Sequence, residues 1–306
     1  MNKKTAASLL IGSAFSFIGL YLAFRNVPLS SLLRYAAEVN YWWTVPAALS
    51  LVGAYFIRSL RWQWLLLSAG RISLSSAYHS LIISMMINCL LPGRIGELAR
   101  PMVLKKKEQM PMATSLAALG VERLLDLLAL LILLLPTLMA LTPDADPVID
   151  FGDYRLSRGL LVDLGYTFFI ALVGLILAVF SLGHDRLRHR CLAWISLLPA
   201  FLERLRPGKP EGLVHRAVPQ LVAFIERSAQ GVKYVCNFRG FIVATAISLA
   251  FWGFNALMFY FLSIGSPGIE LAFIDICGVM VIICFFIALP SVPGFWGLWE
   301  AAGVFA

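Results

Sequence analysis

The sequence predicts an all-α polytopic membrane protein with about six to eight membrane segments, two of them re-entrant hairpins broken by proline and glycine. Of the 306 residues 60% are hydrophobic and only 14% are charged, and the mean hydropathy is +0.82. A soluble domain carries about 25% charged residues, so this chain lacks the polar side chains needed to cover a water-facing surface. We expect a single transmembrane domain over residues 1–306.

The apolar runs give the order of the membrane segments. They fall at about 5–24, 44–67, 74–91, 111–141, 160–182, 240–263 and 271–289. The first run follows Lys3-Lys4 and ends without the small residues of a signal-peptidase site, so we expect a retained first helix. The last residues, 301–306, read as the start of a helix, part of which we expect to lie beyond Ala306.

The charges of the loops predict the orientation. Residues 142–163 carry five aspartates against two arginines, whereas residues 184–239 carry ten basic residues. By the positive-inside rule the basic loop is cytoplasmic, the acidic loop faces outward, and Lys3-Lys4 places the N-terminus in the cytoplasm. Within the basic insert the apolar positions from Val214 to Val232 share a helical face, which suits a helix on an anionic leaflet or one packed on its own protein.

The second and third runs predict a hairpin. Tyr41-Trp42-Trp43 is typical of the outer interface, and Arg58 and Arg61 are expected to snorkel to water at the inner end of the second run. Basic residues then lie on both sides of the third run, Arg71 before it and Lys105-Lys106-Lys107 after it. A segment that begins and ends on one face does not cross, so we expect a re-entrant hairpin that turns at Pro92-Gly93.

The second half repeats this pattern from the opposite face. The run at 240–263 leaves the basic loop, and the next run meets a break at Pro290 and Pro293-Gly294. Residues 1–141 and 160–306 would then form an inverted repeat, with the cytoplasmic insert at about 184–239 inside the second half. Matching breaks in two halves are typical of a transporter's binding site.

The two breaks also share a motif. Each has Pro-Gly, a second glycine three residues after the first, and then a glutamate. The residues are Pro92, Gly93, Gly96 and Glu97 in the first half and Pro293, Gly294, Gly297 and Glu300 in the second. Broken helices free backbone polar groups, which lipid cannot satisfy, so such breaks lie in protein or line a wet cavity.

Polar side chains follow one face of the first hairpin arm. Ser76, Ser80, Ser84 and Asn88 recur every four residues and therefore lie on one side of a helix. Such a stripe lines either water or a neighbouring helix, and the spacing leaves both alternatives open.

Charged residues follow the turn and recur inside the fourth run. Arg94, Glu97 and Arg100 come after the break, and Glu122, Arg123 and Asp126 lie about 16–22 Å along the next helix. Unpaired charges there would be costly, so we expect a network with Arg94 or Arg100. The network would either bind a zwitterionic or phosphate headgroup or only lock the hairpin against the helix.

The segments LPGRIGELARPMVLKKK and VERLLDLL, together with the late PGxxGxxE pattern, resemble the lysylphosphatidylglycerol synthase transmembrane-region family, which is similar to the flippase half of the bacterial multiple peptide resistance factor. The resemblance covers nearly the whole chain. It implies a multi-pass protein of the bacterial inner membrane with two re-entrant elements, which moves lipid between leaflets. The 306 residues contain no soluble aminoacyl-transferase domain, so we expect no enzymatic activity of the chain itself.

The resemblance and the charge pattern together predict a flippase. Its expected headgroup-binding residues are Arg94, Glu97, Arg100, Glu122, Arg123, Asp126 and Glu300, with Ser80, Ser84 and Asn88. The expected partners are membrane lipids (anionic, aminoacylated or polyprenyl-linked), a separate lipid-modifying enzyme and a second copy in a homo-oligomer. We expect no cofactor, no metal and no nucleic acid.

Two other functions stay open at the level of sequence. One is a membrane-embedded glycosyltransferase with a polyprenyl-phosphate donor, in which Asp144-Ala145-Asp146 would hold a metal unless it is only solvated surface. The other is a non-transporting scaffold that recruits lipid-modifying enzymes through the basic insert.

Overall fold

A computed structural model describes residues 21, 28–90, 95–140, 149–151, 154–156, 235–287 and 297–305, with isolated helical positions between 167 and 226. Its helices are α1 (Leu29–Glu38), α2 (Thr44–Leu65), α3 (Leu74–Leu90), α4 (Gly96–Glu108), α5 (Met112–Ala140), α6 (Phe238–Gly265), α7 (Phe273–Ile287) and α8 (Leu298–Phe305). A 3-10 turn at Tyr41–Trp43 precedes α2, and two strands, β1 (Ile149–Phe151) and β2 (Tyr154–Leu156), follow α5. The breaks at Pro92-Gly93 and Pro293-Gly294, Arg94, Asp144-Ala145-Asp146 and the first apolar run lie outside the described residues, as does most of the basic insert.

Helices α2 and α6 form a closely packed antiparallel pair. The Asn40 N–H, just before α2, donates to the Gly265 carbonyl at the end of α6 at 2.8 Å. Trp43 stacks on Phe261 with ring centroids 5.9 Å apart, and a side chain at Gly53 would collide with the Phe254 ring. The start of α2 and the end of α6, both predicted at the outer face, therefore lie together.

Helices α3 and α4 are the two antiparallel arms of a hairpin. At its open end the Ser73 hydroxyl donates to the Glu108 carboxylate at 3.0 Å. Near the turn Gly96 lies against the Ser84 carbonyl and the Asn88 side chain, so closely that no Cβ would fit. The two free ends of the hairpin, at Ser73 and Glu108, therefore lie on the same side. The basic residues around the third run predict that both of these ends face the cytoplasm.

Helix α5 runs from the open end of this hairpin to the start of α7. The Thr137 hydroxyl donates to the Ile274 carbonyl at 2.9 Å, and Gly278 leaves the space that the Thr137 methyl group fills. Helix α8 packs on α7, and Trp299 of α8 stacks on Phe259 of α6 with centroids 5.4 Å apart.

The outer surface of the helices is apolar. Helix α6 is long and apolar enough to cross a membrane. Only 22% of its most apolar 18-residue stretch is buried, whereas the core helix of a soluble protein is mostly buried. Exposed apolar stripes run along α2 (Val45, Leu49, Val52 and Phe56) and α3 (Tyr78, Ile82, Met86 and Leu90). Apolar surface on this scale suits contact with lipid.

Two buried apolar clusters hold the helices together. The first surrounds Trp62, Leu66 and Leu104 at the C-terminal ends of α2 and α4, and the second surrounds Met280 and Ala256 between α6 and α7. Helix α5 reaches both, through Ala118 in the first and Leu130 in the second. The residues of α5 between these two contacts include three charged side chains.

The described elements are helical, as predicted, except for the two short strands β1 and β2. They pair antiparallel, with Asp150 opposite Arg155. Apolar and charged residues alternate in Ile149-Asp150-Phe151 and Tyr154-Arg155-Leu156, which is the period of a strand and not of a helix. This short ladder lies in the acidic loop, which was predicted to face outward.

Candidate functional site

The candidate site is built around two carboxylates of α5. Glu122 and Asp126 are one helical turn apart and therefore project from the same face. Glu122 is fully buried, and Asp126 is only 5% exposed. Uncompensated carboxylates at such positions would be very costly, so their partners define the site.

Four arginines surround Glu122. The guanidinium of Arg100 on α4 donates to both carboxylate oxygens, at 2.9 and 3.0 Å. On α2, Arg58 donates from Nε at 3.1 Å and the Nη2 atom of Arg61 lies 3.2 Å away. Arg123, the neighbour of Glu122 on α5, donates from Nη2 at 3.0 Å. Glu122 thus joins α2, α4 and α5.

Asp126 extends this network to α6. It accepts a hydrogen bond from Arg61 Nη1 at 2.6 Å and one from the indole N–H of Trp252 at 3.2 Å. The same Arg61 nitrogen donates to the Ser248 hydroxyl at 2.8 Å. Arg123 Nη2 approaches the second oxygen of Asp126 at 3.4 Å.

Aromatic rings cover the buried arginines. Arg58 and Arg61 both lie over the ring of Phe251, 5.4 and 5.3 Å from its centroid. Arg100 lies 4.0 Å from the ring centroid of Trp62. These cation–π contacts stabilise the guanidinium groups in surroundings from which water is excluded.

The cluster has one partly open edge. The side chains of Arg61 and Arg100 are 0% and 1% exposed, whereas those of Arg123 and Glu97 are 34% and 23% exposed. Arg123 Nη1 and Glu97 Oε1 are 3.8 Å apart, the longest ion-pair distance of the cluster among the described residues. The accessible part of the site therefore lies between α4 and α5.

The cluster lies deep within the membrane domain. Ser248 is ten residues from the start of α6, about 15 Å along a helix that is about 42 Å long. An arginine exposed to hydrocarbon at this depth would lack hydrogen-bond partners, so we expect polar groups at the open side of Arg123. The described charges do not cancel, because four arginines face the three carboxylates of Glu97, Glu122 and Asp126.

The structure brings together five of the residues predicted for headgroup binding: Glu97, Arg100, Glu122, Arg123 and Asp126. The Glu122–Arg100 contact is one of the two alternatives that the charge-network hypothesis gave. Arg94, the alternative partner, lies outside the described residues. Glu300 serves its own helix, because its carboxylate accepts the Gly297 N–H at 2.7 Å at the start of α8.

The polar stripe of α3 is buried in the hairpin. Ser76, Ser80 and Ser84 are at most 7% exposed, and Ser84 lies against Gly96 of α4. The Ser80 hydroxyl donates to the Ala77 carbonyl of its own helix. Of the two alternatives for this stripe, these contacts favour helix packing. Asn88 Oδ1 is buried beside Gly96 and accepts no hydrogen bond within the described part of the chain.

The prediction that Arg58 and Arg61 snorkel to water was wrong. Both are buried, because the carboxylates of α5 and the Phe251 ring lie within reach at their depth. Ser248 and Trp252 were missed as members of the site. Ser248 and Trp252 are four residues apart and therefore lie on one face of an apolar helix. Arg58 and Arg61, three residues apart, do the same in their own helix, and this placement of polar pairs on one face was the available signal.

A hydrogen-bonded carboxylate holds the open end of the hairpin, outside the apolar spans. Hydrogen bonds from the Ser76 and Ser73 hydroxyls and from the Ser73 N–H lower the pKa of Glu108 below its ordinary value. The contacts of Glu108 with Ser73 and Ser76 thus join α4 to the start of α3 at the end of the hairpin opposite Gly96.

Comparison with known proteins agrees with the membrane architecture. No curated protein and no solved structure matches this sequence. The family model described as "Lysylphosphatidylglycerol synthase TM region" matches residues 9–306. The chain therefore belongs to the lysylphosphatidylglycerol synthase transmembrane-region family and is a membrane protein.

Proposed function

We propose that this protein is a flippase that moves a phospholipid or a lipid-linked headgroup between the leaflets of the bacterial inner membrane. The observation that carries the proposal is the arginine cluster, a surplus of positive charge deep among apolar helices with one partly exposed guanidinium. A charged group at such a depth is expensive and therefore suggests function. Membership in a lipid-related membrane family points the same way.

The chemistry of the cluster suits a headgroup. Guanidinium groups are planar donors that bind phosphate through charge-assisted hydrogen bonds. The apolar stripes on α2 and α3 offer a surface along which acyl tails remain in contact with the bilayer. A lipid would thus bind with its headgroup in the polar space between α4 and α5 and its tails outside.

The hairpin supports a path to this space. Helix α3 has 17 residues and is about 25 Å long, less than the hydrocarbon core of about 30 Å. Helix α4 runs antiparallel to α3, so the two free ends of the hairpin lie on one side. We therefore interpret α3 and α4 together as the re-entrant element predicted from sequence. Arg100 and Glu97 of α4 then bring the hairpin to the cluster.

The second half supports an inverted repeat. Helix α7 has 15 residues, again too few to cross, and α8 packs against it after the second proline–glycine break. The long helices α2 and α6, which precede these short ones, are antiparallel. Opposed copies of one unit would allow access to alternate between the two faces.

The test is lipid movement in vesicles. The purified full chain is reconstituted into phosphatidylcholine vesicles that contain a trace of fluorescent phosphatidylglycerol, and dithionite is added outside. Fluorescence that falls beyond the outer-leaflet fraction, faster than in empty vesicles, supports the flippase. If none of the fluorescent forms of phosphatidylglycerol, an aminoacylated lipid and a polyprenyl phosphate moves faster than in empty vesicles, the proposal is wrong.

A matched pair of variants links movement to the cluster. Arg123→Gln removes the partly exposed arginine, and Arg34→Gln removes an exposed arginine of α1 that also pairs with a glutamate, Glu38, at 3.5 Å. We expect Arg123→Gln to slow lipid movement at least tenfold, as for the loss of a charge-assisted contact, and Arg34→Gln to leave it unchanged.

A further inference from the structure

The ion pair between Arg123 and Glu97 differs from every other pair of the cluster. Its two atoms are 3.8 Å apart, whereas Arg61 and Asp126 are 2.6 Å apart and Arg100 and Glu122 are 2.9 Å apart. Both side chains are partly exposed, and the deeper ones are not. This is therefore the weakest ion pair of the described cluster, and Glu97 is the carboxylate that a ligand displaces most readily.

The other contacts of Arg123 keep its guanidinium in place when Glu97 leaves. Its Nη2 atom is held by Glu122 at 3.0 Å and Asp126 at 3.4 Å, on its own helix. Its Nη1 atom faces Glu97, and its Nε atom is buried and makes no hydrogen bond in the part of the chain that the structure describes. Arg123 is thus held by its own helix, and its Nη1 atom is the donor that becomes available when Glu97 leaves.

We propose, on the basis of the flippase function above, that Arg123 is the subsite for the phosphate of a net-anionic lipid and that this phosphate displaces Glu97. The deeper arginines, Arg58, Arg61 and Arg100, then serve as a structural lock that stays paired with Glu122 and Asp126. Glu97 is the second residue of α4, directly after the hairpin turn. Displacement removes the contact between Glu97 of α4 and Arg123 of α5, whereas the contact between Arg100 and Glu122 remains.

The charge balance selects the class of lipid. With Glu97 in place the described cluster carries one surplus positive charge. Displacement of Glu97 removes one of the carboxylates that compensate the arginines, so the surplus grows. A headgroup with net negative charge restores the balance. An aminoacylated headgroup with net positive charge brings further cations next to four arginines, which is unfavourable in a low-dielectric site.

The test measures binding by native mass spectrometry of the full chain in detergent, titrated with dioctanoyl phosphatidylglycerol. We expect Glu97→Gln to bind this lipid about two- to fivefold more tightly, because a competing carboxylate is removed. Arg123→Gln should bind it at least tenfold more weakly, and Arg123→Lys should lie between Arg123→Gln and the wild type because it keeps the charge without the planar donors. Arg34→Gln is the matched control and should bind as the wild type does.

Two further ligands define the specificity. Dioctanoyl lysyl-phosphatidylglycerol should bind more weakly than phosphatidylglycerol, and equal or tighter binding overturns the proposed selectivity. If inorganic phosphate displaces the lipid, the subsite recognises the phosphate group itself. If the lipid stays bound in the presence of inorganic phosphate, the subsite recognises the complete headgroup.

The outcomes separate this inference from the proposed function. If lipid moves in vesicles but Glu97→Gln and both Arg123 variants bind phosphatidylglycerol as the wild type does, the subsite is wrong and the flippase stands. If binding follows the predicted order but no lipid moves, the subsite stands and the flippase is wrong. Glu97→Gln keeps all four arginines, so the test holds even if Arg123→Gln fails to fold.

Discussion

One nitrogen of Arg61 donates both to the Asp126 carboxylate, at 2.6 Å, and to the Ser248 hydroxyl, at 2.8 Å. These three residues lie on α2, α5 and α6, so a single side chain ties three helices together within the membrane domain. Where hydrophobic burial offers no net gain against lipid, such polar contacts and close packing are what hold helices in register. The Arg61 contacts therefore fix the positions of α2, α5 and α6 relative to one another.

Neutralising Glu122 should strongly destabilise the protein. Glu122→Gln leaves four arginines against Asp126 and Glu97, and removing one member of a buried ion-pair network costs about 3–5 kcal/mol. Thermal unfolding in detergent measures the loss. The control is Glu38→Gln, which removes an exposed carboxylate that is also paired with an arginine. Equal unfolding temperatures for the two variants would contradict the network.

The indole N–H of Trp252 should matter separately from its ring. Trp252→Phe keeps most of the apolar surface but removes the hydrogen bond to Asp126, and bonds to charged groups are worth about 1.5–3 kcal/mol. The measurement is again unfolding in detergent. Trp42→Phe changes an indole that is 78% exposed and should have no effect. If Trp252→Phe unfolds at the same temperature as the wild type, Asp126 does not need the hydrogen bond from Trp252 of α6.

The close approach of the hairpin arms predicts that Gly96 tolerates no side chain. In Gly96→Ala the new methyl group collides with the Ser84 carbonyl and lies 2.5 Å from Asn88 Oδ1, and such overpacking costs about 1–3 kcal/mol. Gly253→Ala on α6 and Gly120→Ala on α5 place the same methyl group in open space. These two controls should be neutral or stabilised by up to about 1 kcal/mol. Tolerance of alanine at position 96 would mean that the arms are further apart.

The re-entrant hairpin predicts labelling from one face. Arg71→Cys and Lys106→Cys are made in a chain whose five native cysteines are replaced by alanine, and each is treated with a membrane-impermeant maleimide. Both should react only in inside-out vesicles, because both ends of the hairpin are predicted to be cytoplasmic. Trp42→Cys, at the predicted outer interface, should react only in right-side-out vesicles. Labelling of positions 71 and 106 from opposite faces would contradict the hairpin, because its two free ends lie on one side.

The open end of the hairpin should weaken in acid. The pKa of Glu108 is lowered in the folded protein by Ser76 and Ser73, so its contribution is present above the ordinary carboxyl pKa and is lost as pH falls through the lowered one. The protection of the amides at the end of α4, measured as the exchange rate relative to the intrinsic rate at each pH, should therefore fall below about pH 4. The double variant Ser73→Ala, Ser76→Ala should exchange faster at neutral pH and respond less to acid. Ser75→Ala, whose hydroxyl bonds to His79, is the matched control.

Much of the helical framework was predictable because membrane segments are recognisable by length and composition. The apolar runs at 44–67, 74–91, 111–141, 240–263 and 271–289 correspond to α2, α3, α5, α6 and α7. Glu122, Arg123 and Asp126 were also identified, because charges inside an apolar run must have partners. The pairing of strands β1 and β2 was not predicted, because a three-residue strand is too short to be recognised by its periodicity.

The sequence by itself determined the family, the membrane class and the presence of buried charges, since all three depend on composition and short motifs. Only the tertiary structure decided which charges meet. Arg58 and Arg61 lie near the end of their run, where snorkelling to water is the ordinary expectation, and their distance from Glu122 along the chain says nothing about contact. The packing of α2 against α5 and α6 places carboxylates and an aromatic ring within reach, and this pairing compensates the cost of keeping both arginines out of water.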